Sequence, residues 1–234
     1  MIDSLPLPRS TSQLILALAD SQDSMEGRLQ CYSRSRLQPW TPIGAERLVS
    51  LGQAGMAWGL GRHQIPEGAP VKREGDGKSP CGIFTLGFLF GEELSSPNRH
   101  AWPYRASTAE DYWVDDPASP DYNGWVHLPS GQRPKDHWSS FEQMKRPDGL
   151  YEWGLVIHHN AGTPIPGAGS AIFLHRWKGQ GQATSGCIAT DRSSLLHVIQ
   201  WIDPGRSPLL LLIPRSWVGL LKLSNSARPL EEQT

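Results

Sequence analysis

Cys187 and His175 are the residues whose types and spacing point most directly to chemistry. They lie twelve positions apart within Gly169 to Thr190, GSAIFLHRWKGQGQATSGCIAT. A thiol becomes a good nucleophile when an adjacent imidazolium or a helix N-terminus lowers its pKa. The run Ala171 to Leu174 reads as a strand that delivers His175 at its end. A loop rich in Gly and Gln follows, and Thr184-Ser185-Gly186-Cys187 leads back into ordered structure just before a candidate helix. Both activating devices are therefore expected at Cys187. Gly186 has no Cβ, so backbone there can approach a substrate closely, and the amides around Gly186 and Cys187 can face a developing oxyanion. A cysteine and a histidine at this separation are weak evidence alone, because a lone cysteine is most often a small buried hydrophobe. The Thr-Ser-Gly-Cys context between a strand end and a helix start is what lifts the pair.

Other polar groups carry less. His158 and His159 fall on an expected strand, Leu155 to His159, so their side chains point to opposite faces. One of them can face the cleft beside Asn160. A zinc site would combine one of these with His175 and Cys187, yet no close ligand pair at helical or Cys-x-x-Cys spacing exists, and no metal is expected. Gly77-Lys78-Ser79 runs into Pro80 and a strand rather than a helix, so a phosphate loop is disfavoured. Asp115-Asp116 beside Pro117 reads as a capping turn.

The elements that must position these groups are mostly strands. The chain has 234 residues, 38% of them hydrophobic and 19% charged, enough for one packed domain spanning 1–234. With 24 glycines and 20 prolines it is poor in helix interiors and rich in turns. Short β-prone runs occur at Leu14 to Leu18, Leu29 to Tyr32, Arg47 to Leu51 and Gly82 to Leu89. Trp125 to Leu128, Leu155 to His159, Ser170 to Leu174 and Leu209 to Ile213 complete them. The fold class expected is mainly β, a sandwich or open barrel with one or two short covering helices. Helices are expected at Ser139 to Lys145, which opens with a capping box, and at Thr190 to Ile202, capped by Asp191 or Ser193 and stopped by Pro204-Gly205.

Formal net charge is -1 with the signs interleaved, which argues against nucleic acid as a partner and against a polybasic membrane anchor. No apolar stretch approaches bilayer length. Three cysteines, Cys31, Cys81 and Cys187, leave at least one free thiol, and Cys81 reads as structural. Ten tryptophans serve first as core and loop packing, and as a group they also fit a groove for sugar rings or extended peptides.

The run GSAIFLH, eight intervening residues and then T-S-G-C-I-A resembles the active-site signature of the L,D-transpeptidase (YkuD-type) catalytic domain. It is most similar to the branch that reads [ST]-x-G-C. Further blocks match in order: K-R-E-G-D-G-K-S-P-C-G-I-F at Lys72 to Phe84, V-D-D-P at Val114 to Pro117, and Tyr122-Asn123. W-S-S-F-E-Q-M at Trp138 to Met144, I-H-H-N at Ile157 to Asn160 and P-G-A-G-S at Pro166 to Ser170 complete the set. The likeness is strongest over residues 45–215.

The resemblance implies that Cys187 is acylated, that His175 is its base, and that Gly186 is a flexible neighbour and oxyanion donor. It implies that a backbone carbonyl, not an acid, holds the imidazole. Ser185, Thr184, Asn160, His159 and Trp177 would meet the substrate, a peptidoglycan stem tetrapeptide or muropeptide cleaved between a diamino acid and D-Ala. The acyl group would pass to an amine or to water, with no cofactor. Ser185 stands where many members carry a second histidine. The envelope is the compartment the resemblance implies. Asp20 and Asp23, where a small-residue cleavage site would stand after Gln13 to Ala19, make the chain as written read as cytoplasmic or as lacking its leader. A non-catalytic wall-binding module with the same fold and a tryptophan platform is the alternative.

Overall fold

The computed structural model describes residues 2–35, 37–92, 96–98 and 100–223. Its strands in chain order are β1 (Gln13–Ala19), β2 (Glu26–Ser35), β3 (Gln38–Ser50), β4 (Met56–Trp58) and β5 (Ser79–Gly91). Next come β6 (Tyr104–Ala106), β7 (Asp111–Val114), β8 (Gly124–His127) and β9 (Phe141–Gln143). The last are β10 (Trp153–Ile157), β11 (Phe173–Arg176), β12 (Ile188–Thr190) and β13 (Leu209–Pro214), with one α-helix, α1 (Arg192–Trp201), before β13.

The mainly β expectation holds, and the sheet closes on itself. Its strand order is β10-β11-β12-β3-β2-β1-β13-β5, and β10 also pairs with β5, completing a ring. Closure removes the unpaired edges that an open sheet exposes. At its centre, β1 is buried at every position. That is why QLILALA is continuously apolar rather than alternating: both faces are covered. β1 pairs antiparallel with β2 and parallel with β13, Leu14 opposite Leu209. β7, β8 and β9 form a separate three-stranded sheet. Six tryptophans, Trp40, Trp58, Trp102, Trp113, Trp138 and Trp153, are buried, as the packing reading required.

One residue shows how tightly the barrel is filled. Gly82 in β5 has φ +134°, and a Cβ there would stand 1.9 Å from His63 Cε1. That imidazole is held by the Ile83 amide, which donates to its Nδ1 at 3.0 Å. Gly82→Ala is therefore expected to destabilise the fold by at least about 3 kcal/mol, through overpacking and a left-handed backbone. A lower urea midpoint at unchanged slope would confirm this; an unchanged midpoint would refute it.

Three sequence expectations fail locally, one of them the strand over Ser170 to Leu174, which begins only at Phe173 because Ala171 takes φ +53°. Ser139 to Lys145 is not helical: Phe141–Gln143 forms β9 and pairs with β7, Trp113 opposite Glu142. The Ser139 amide and hydroxyl both donate to Asp116, at 2.8 and 2.7 Å, so the capping serine is diverted. Seven residues cannot sustain a helix against that competition. The strand expected through His159 stops at Ile157. By contrast, α1 is built as read, with Asp191 accepting from the Ser194 amide and Leu195, Val198 and Ile199 buried.

Candidate active site

β11 and β12 run parallel, with Leu174 opposite Ile188 and His175 opposite Ala189. Extending that register one step back sets Cys187 beside Phe173, whose amide donates to Sγ at 3.4 Å. Positions two apart on a strand share a face, so His175 and Cys187 emerge on the same side of the barrel wall. Both line one pocket of about 160 Å³, together with Tyr151, Glu142, Arg146 and Trp177. Cys187 is 8% exposed and His175 7%. The sulfur is therefore deep in the wall but opens onto the pocket.

Cys187 is set by backbone. Its thiol donates to the Ala171 carbonyl at 3.2 Å. Ala171 has φ +53°, a left-handed conformation costing about 1 kcal/mol for a residue with a Cβ. Its amide is held by Asn123 Oδ1 at 3.1 Å. On the other flank, Thr184 Oγ1 and Ser79 Oγ both donate to the Cys187 carbonyl, at 2.7 and 3.2 Å. Gly186 has φ +150°, and a Cβ there would lie 3.0 Å from the Lys78 carbonyl. Glycine is required by that close approach to backbone.

The imidazole of His175 is held as the resemblance implied. Nδ1 lies 2.7 Å from the Arg176 carbonyl. Nδ1 therefore carries the proton, and Nε2 keeps the lone pair that could accept one. Tyr151 packs edge-on against the ring at 5.2 Å between centroids. Burial lowers the His175 pKa to about 4, opposed by the Arg176 carbonyl. Burial, and then the charge of Glu142, push the Cys187 thiol up to about 12, opposed by the Phe173 amide, Lys72 and Arg146.

The direction of the shift is opposite to the lowered thiol pKa that the two activating devices were expected to give. Burial disfavours the charged form of both groups, because desolvation outweighs the nearby donors. The helix is no help either: β12 separates Cys187 from α1, and Asp191 occupies the helix N-terminus.

Other site residues are redistributed. Ser185, Thr184 and Trp177 line the pocket. His159 and Asn160 do not. His159 is 2% exposed, accepts from the Leu60 amide at 3.1 Å, and its Nε2 lies 3.0 Å from the Ala168 carbonyl. Asn160 is 3% exposed and ties down the following loop through Ile165 and Gly169. His158 faces Thr85 Oγ1 at 3.0 Å. The zinc reading loses its extra imidazole, and among the described residues no three His, Cys, Asp or Glu side chains form a metal-holding group. The Gly186 amide, expected to face an oxyanion, donates to Thr184 Oγ1 at 3.1 Å.

Glu142 and Tyr151 were missed: Glu142 lies within the matched block Trp138 to Met144 but was given no role there, and Tyr151 lies in no matched block. The Tyr151 hydroxyl donates to Glu142, and both residues line the pocket. Burial raises both groups' pKa values. The Glu142 charge is, after burial, the next cause that raises the thiol pKa. Glu142→Gln is therefore expected to shift alkylation of Cys187 to lower pH. Iodoacetamide labelling with peptide mapping separates Cys187 from Cys31 and Cys81. A profile that stays put or moves upward would show that the Glu142 charge does not reach the sulfur.

A family model described as L,D-transpeptidase catalytic domain matches residues 28–211. Comparison with curated proteins gives no match, and comparison with solved structures gives none.

Proposed function

The chain belongs to the L,D-transpeptidase catalytic-domain family, and from that premise we propose that it is a cysteine acyltransferase acting on peptidoglycan stem peptides. The observation that carries the reading is the shared pocket of Cys187 and His175, with the ring oriented by the Arg176 carbonyl.

As Cys187 Sγ attacks the carbonyl carbon of the diamino acid at stem position three, its proton passes to His175 Nε2. Both groups start neutral, so proton transfer accompanies attack rather than preceding it. The tetrahedral intermediate collapses to a thioester. The C–N bond to D-Ala breaks, and the imidazolium returns its proton to the departing amine. An amine of a second stem, or water, then attacks the thioester and gives up its proton to His175; the C–S bond breaks, and the imidazolium returns that proton to the departing Cys187 sulfur. Gly186 provides the close approach, and its amide meets the oxyanion by exchanging the Thr184 hydroxyl for it. Trp177, Thr184 and Ser185 contact the bound peptide. Ser185, in place of a second imidazole, donates a hydroxyl without adding a titrating base.

Incubation with a defined tetrapeptide, with and without an amine acceptor, tests the reading. Mass spectrometry is expected to find an acyl adduct on Cys187 that has lost D-Ala. Tripeptide as the product means that water accepts; a crosslinked dimer means that the amine does. Saturable peptidoglycan binding with neither adduct nor product would reject catalysis and return the wall-binding module.

A further inference from the structure

A second cleft, of about 1010 Å³, is lined by Arg9, Ser10, Ser12, Arg34, Ser35 and Arg206. It lies far from Cys187. Ser35 pairs with Gln38 at one end of β2, whereas Glu26 at the other end pairs with Ser50, which in turn pairs with Ala189. The ten residues of β2 set the two ends roughly 30 Å apart.

Among the described residues, the charged side chains that line the cleft are three arginines, and none is a carboxylate. None of the ion pairs among the described residues involves Arg9, Arg34 or Arg206. The nearest acid on the same loop, Asp203, is turned to the Gly205 amide at 2.9 Å and lies 3.9 Å from His100. Two guanidiniums are held in place by neutral groups. Arg34 donates to the Thr11 and Pro8 carbonyls at 2.8 and 2.6 Å and lies over the Trp40 ring at 4.6 Å. Arg206 donates to the Ser12 and Arg34 carbonyls, both at 3.2 Å. Carbonyls orient a guanidinium without cancelling its charge, and Nη1 of each side chain takes no part in these bonds. The ordering cost of a binding site is thus already met, while three positive charges remain uncompensated.

We propose that this cleft binds a phosphate-type oxyanion. A guanidinium fork matches phosphate oxygens two at a time, and three such groups suit a ligand of at least two charges better than a single carboxylate. Ser10 and Ser35 add neutral hydroxyls around it, whereas the Ser12 hydroxyl already donates to the Arg206 carbonyl at 3.1 Å. The site is independent of the acyl-transfer reading, so Cys187→Ala is expected to leave binding unchanged.

Calorimetric titration of the full chain with inorganic pyrophosphate at low ionic strength tests it. Saturable binding is expected, about tenfold weaker in Arg9→Gln, which removes one exposed charge-assisted contact. Arg34→Lys, which keeps the charge and loses the fork, is expected to weaken it as well. Arg133→Gln removes an exposed arginine paired with Asp136 outside the cleft and is expected to change nothing. Absence of saturable binding, or equal weakening by Arg133→Gln, would overturn the proposal. Co-sedimentation separates the sources of the anion. Retention on phosphatidylglycerol vesicles but not on phosphatidylcholine, lost in Arg9→Gln, assigns a lipid headgroup. Pyrophosphate binding without vesicle retention assigns a phosphate carried in solution or on a polymer.

Discussion

Replacing Cys187 with alanine is expected to abolish the acyl adduct and to slow release of D-Ala from a stem tetrapeptide by at least about ten-thousand-fold. The size follows from the role proposed. No other nucleophilic sulfur lies in the pocket, since Cys31 and Cys81 are buried elsewhere in the barrel core. His175→Gln is expected to lose a comparable amount, because its amide cannot take the thiol proton. The double variant should be little worse than either single one, as two groups acting as a unit are not additive. Structural cost is a minor concern: trimming one sulfur from a site that opens onto a pocket leaves a small void, worth about 1 kcal/mol. Circular dichroism of Cys187→Ala should match the parent. A variant that folds and still processes the tetrapeptide at the parental rate would remove Cys187 from the chemistry.

Acidification is expected to unfold the protein between about pH 6.5 and pH 4. Burial disfavours the charged form of four imidazoles, three buried and His158 half-buried: His63, His158 and His175 have their pKa lowered to about 4, and His159 to about 3, in each case by burial first. In the unfolded chain a histidine titrates near 6.5. The unfolded state therefore binds more protons as pH falls, and folding stability falls with it. The contribution is complete above about pH 6.5 and is lost progressively toward the folded values. A shift of this size is worth roughly 3 kcal/mol per group, and four such groups together rival the whole stability of a domain. Lowered carboxylates such as Asp111 and Asp148 extend the loss at still lower pH. Thermal unfolding followed across this window should show a steep decline in midpoint. A flat midpoint down to pH 4.5 would mean that these rings ionise in place. His159→Gln offers a finer check. A glutamine can replace one of its two bonds without titrating, so the variant should be less stable at neutral pH and less sensitive to acid.

How much of this could be read from residues alone depends on how local each signal is. The apolar runs at Leu14 to Leu18 and Leu209 to Ile213 became β1 and β13, because continuous hydrophobicity reports burial directly. α1 was legible for the same kind of reason: its spacing, its Asp191 cap and its stop all lie within one segment. That Cys187 and His175 would line one pocket was also readable, since a single loop leads from the strand that carries His175 to Cys187 immediately before the next. Glu142 and Tyr151 were not. They reach the pocket through the pairing of β9 with β7 and the packing of Tyr151 on Phe90 and Phe173, neither of which leaves a mark in nearby sequence. The capping box at Ser139 misled because its serine had a stronger partner, Asp116, in a distant turn. The direction of the thiol's pKa shift was misread for a related reason. Type and order of residues suggest which donors are near, whereas the depth of the sulfur, which decides the sign, belongs to the tertiary fold.

The parallel rung between β1 and β13 has a consequence for how the molecule is made. During synthesis the N-terminal strands leave the ribosome long before the segment that will cover them, Leu209–Pro214, has been translated. At about 5–20 residues per second that interval is of order ten seconds or more. Throughout it the flank of Leu14–Leu18 that β13 later covers has no partner from its own chain. Final closure is thus a late, long-range event of the slow kind, and the nascent barrel is the form in which this protein most needs a chaperone.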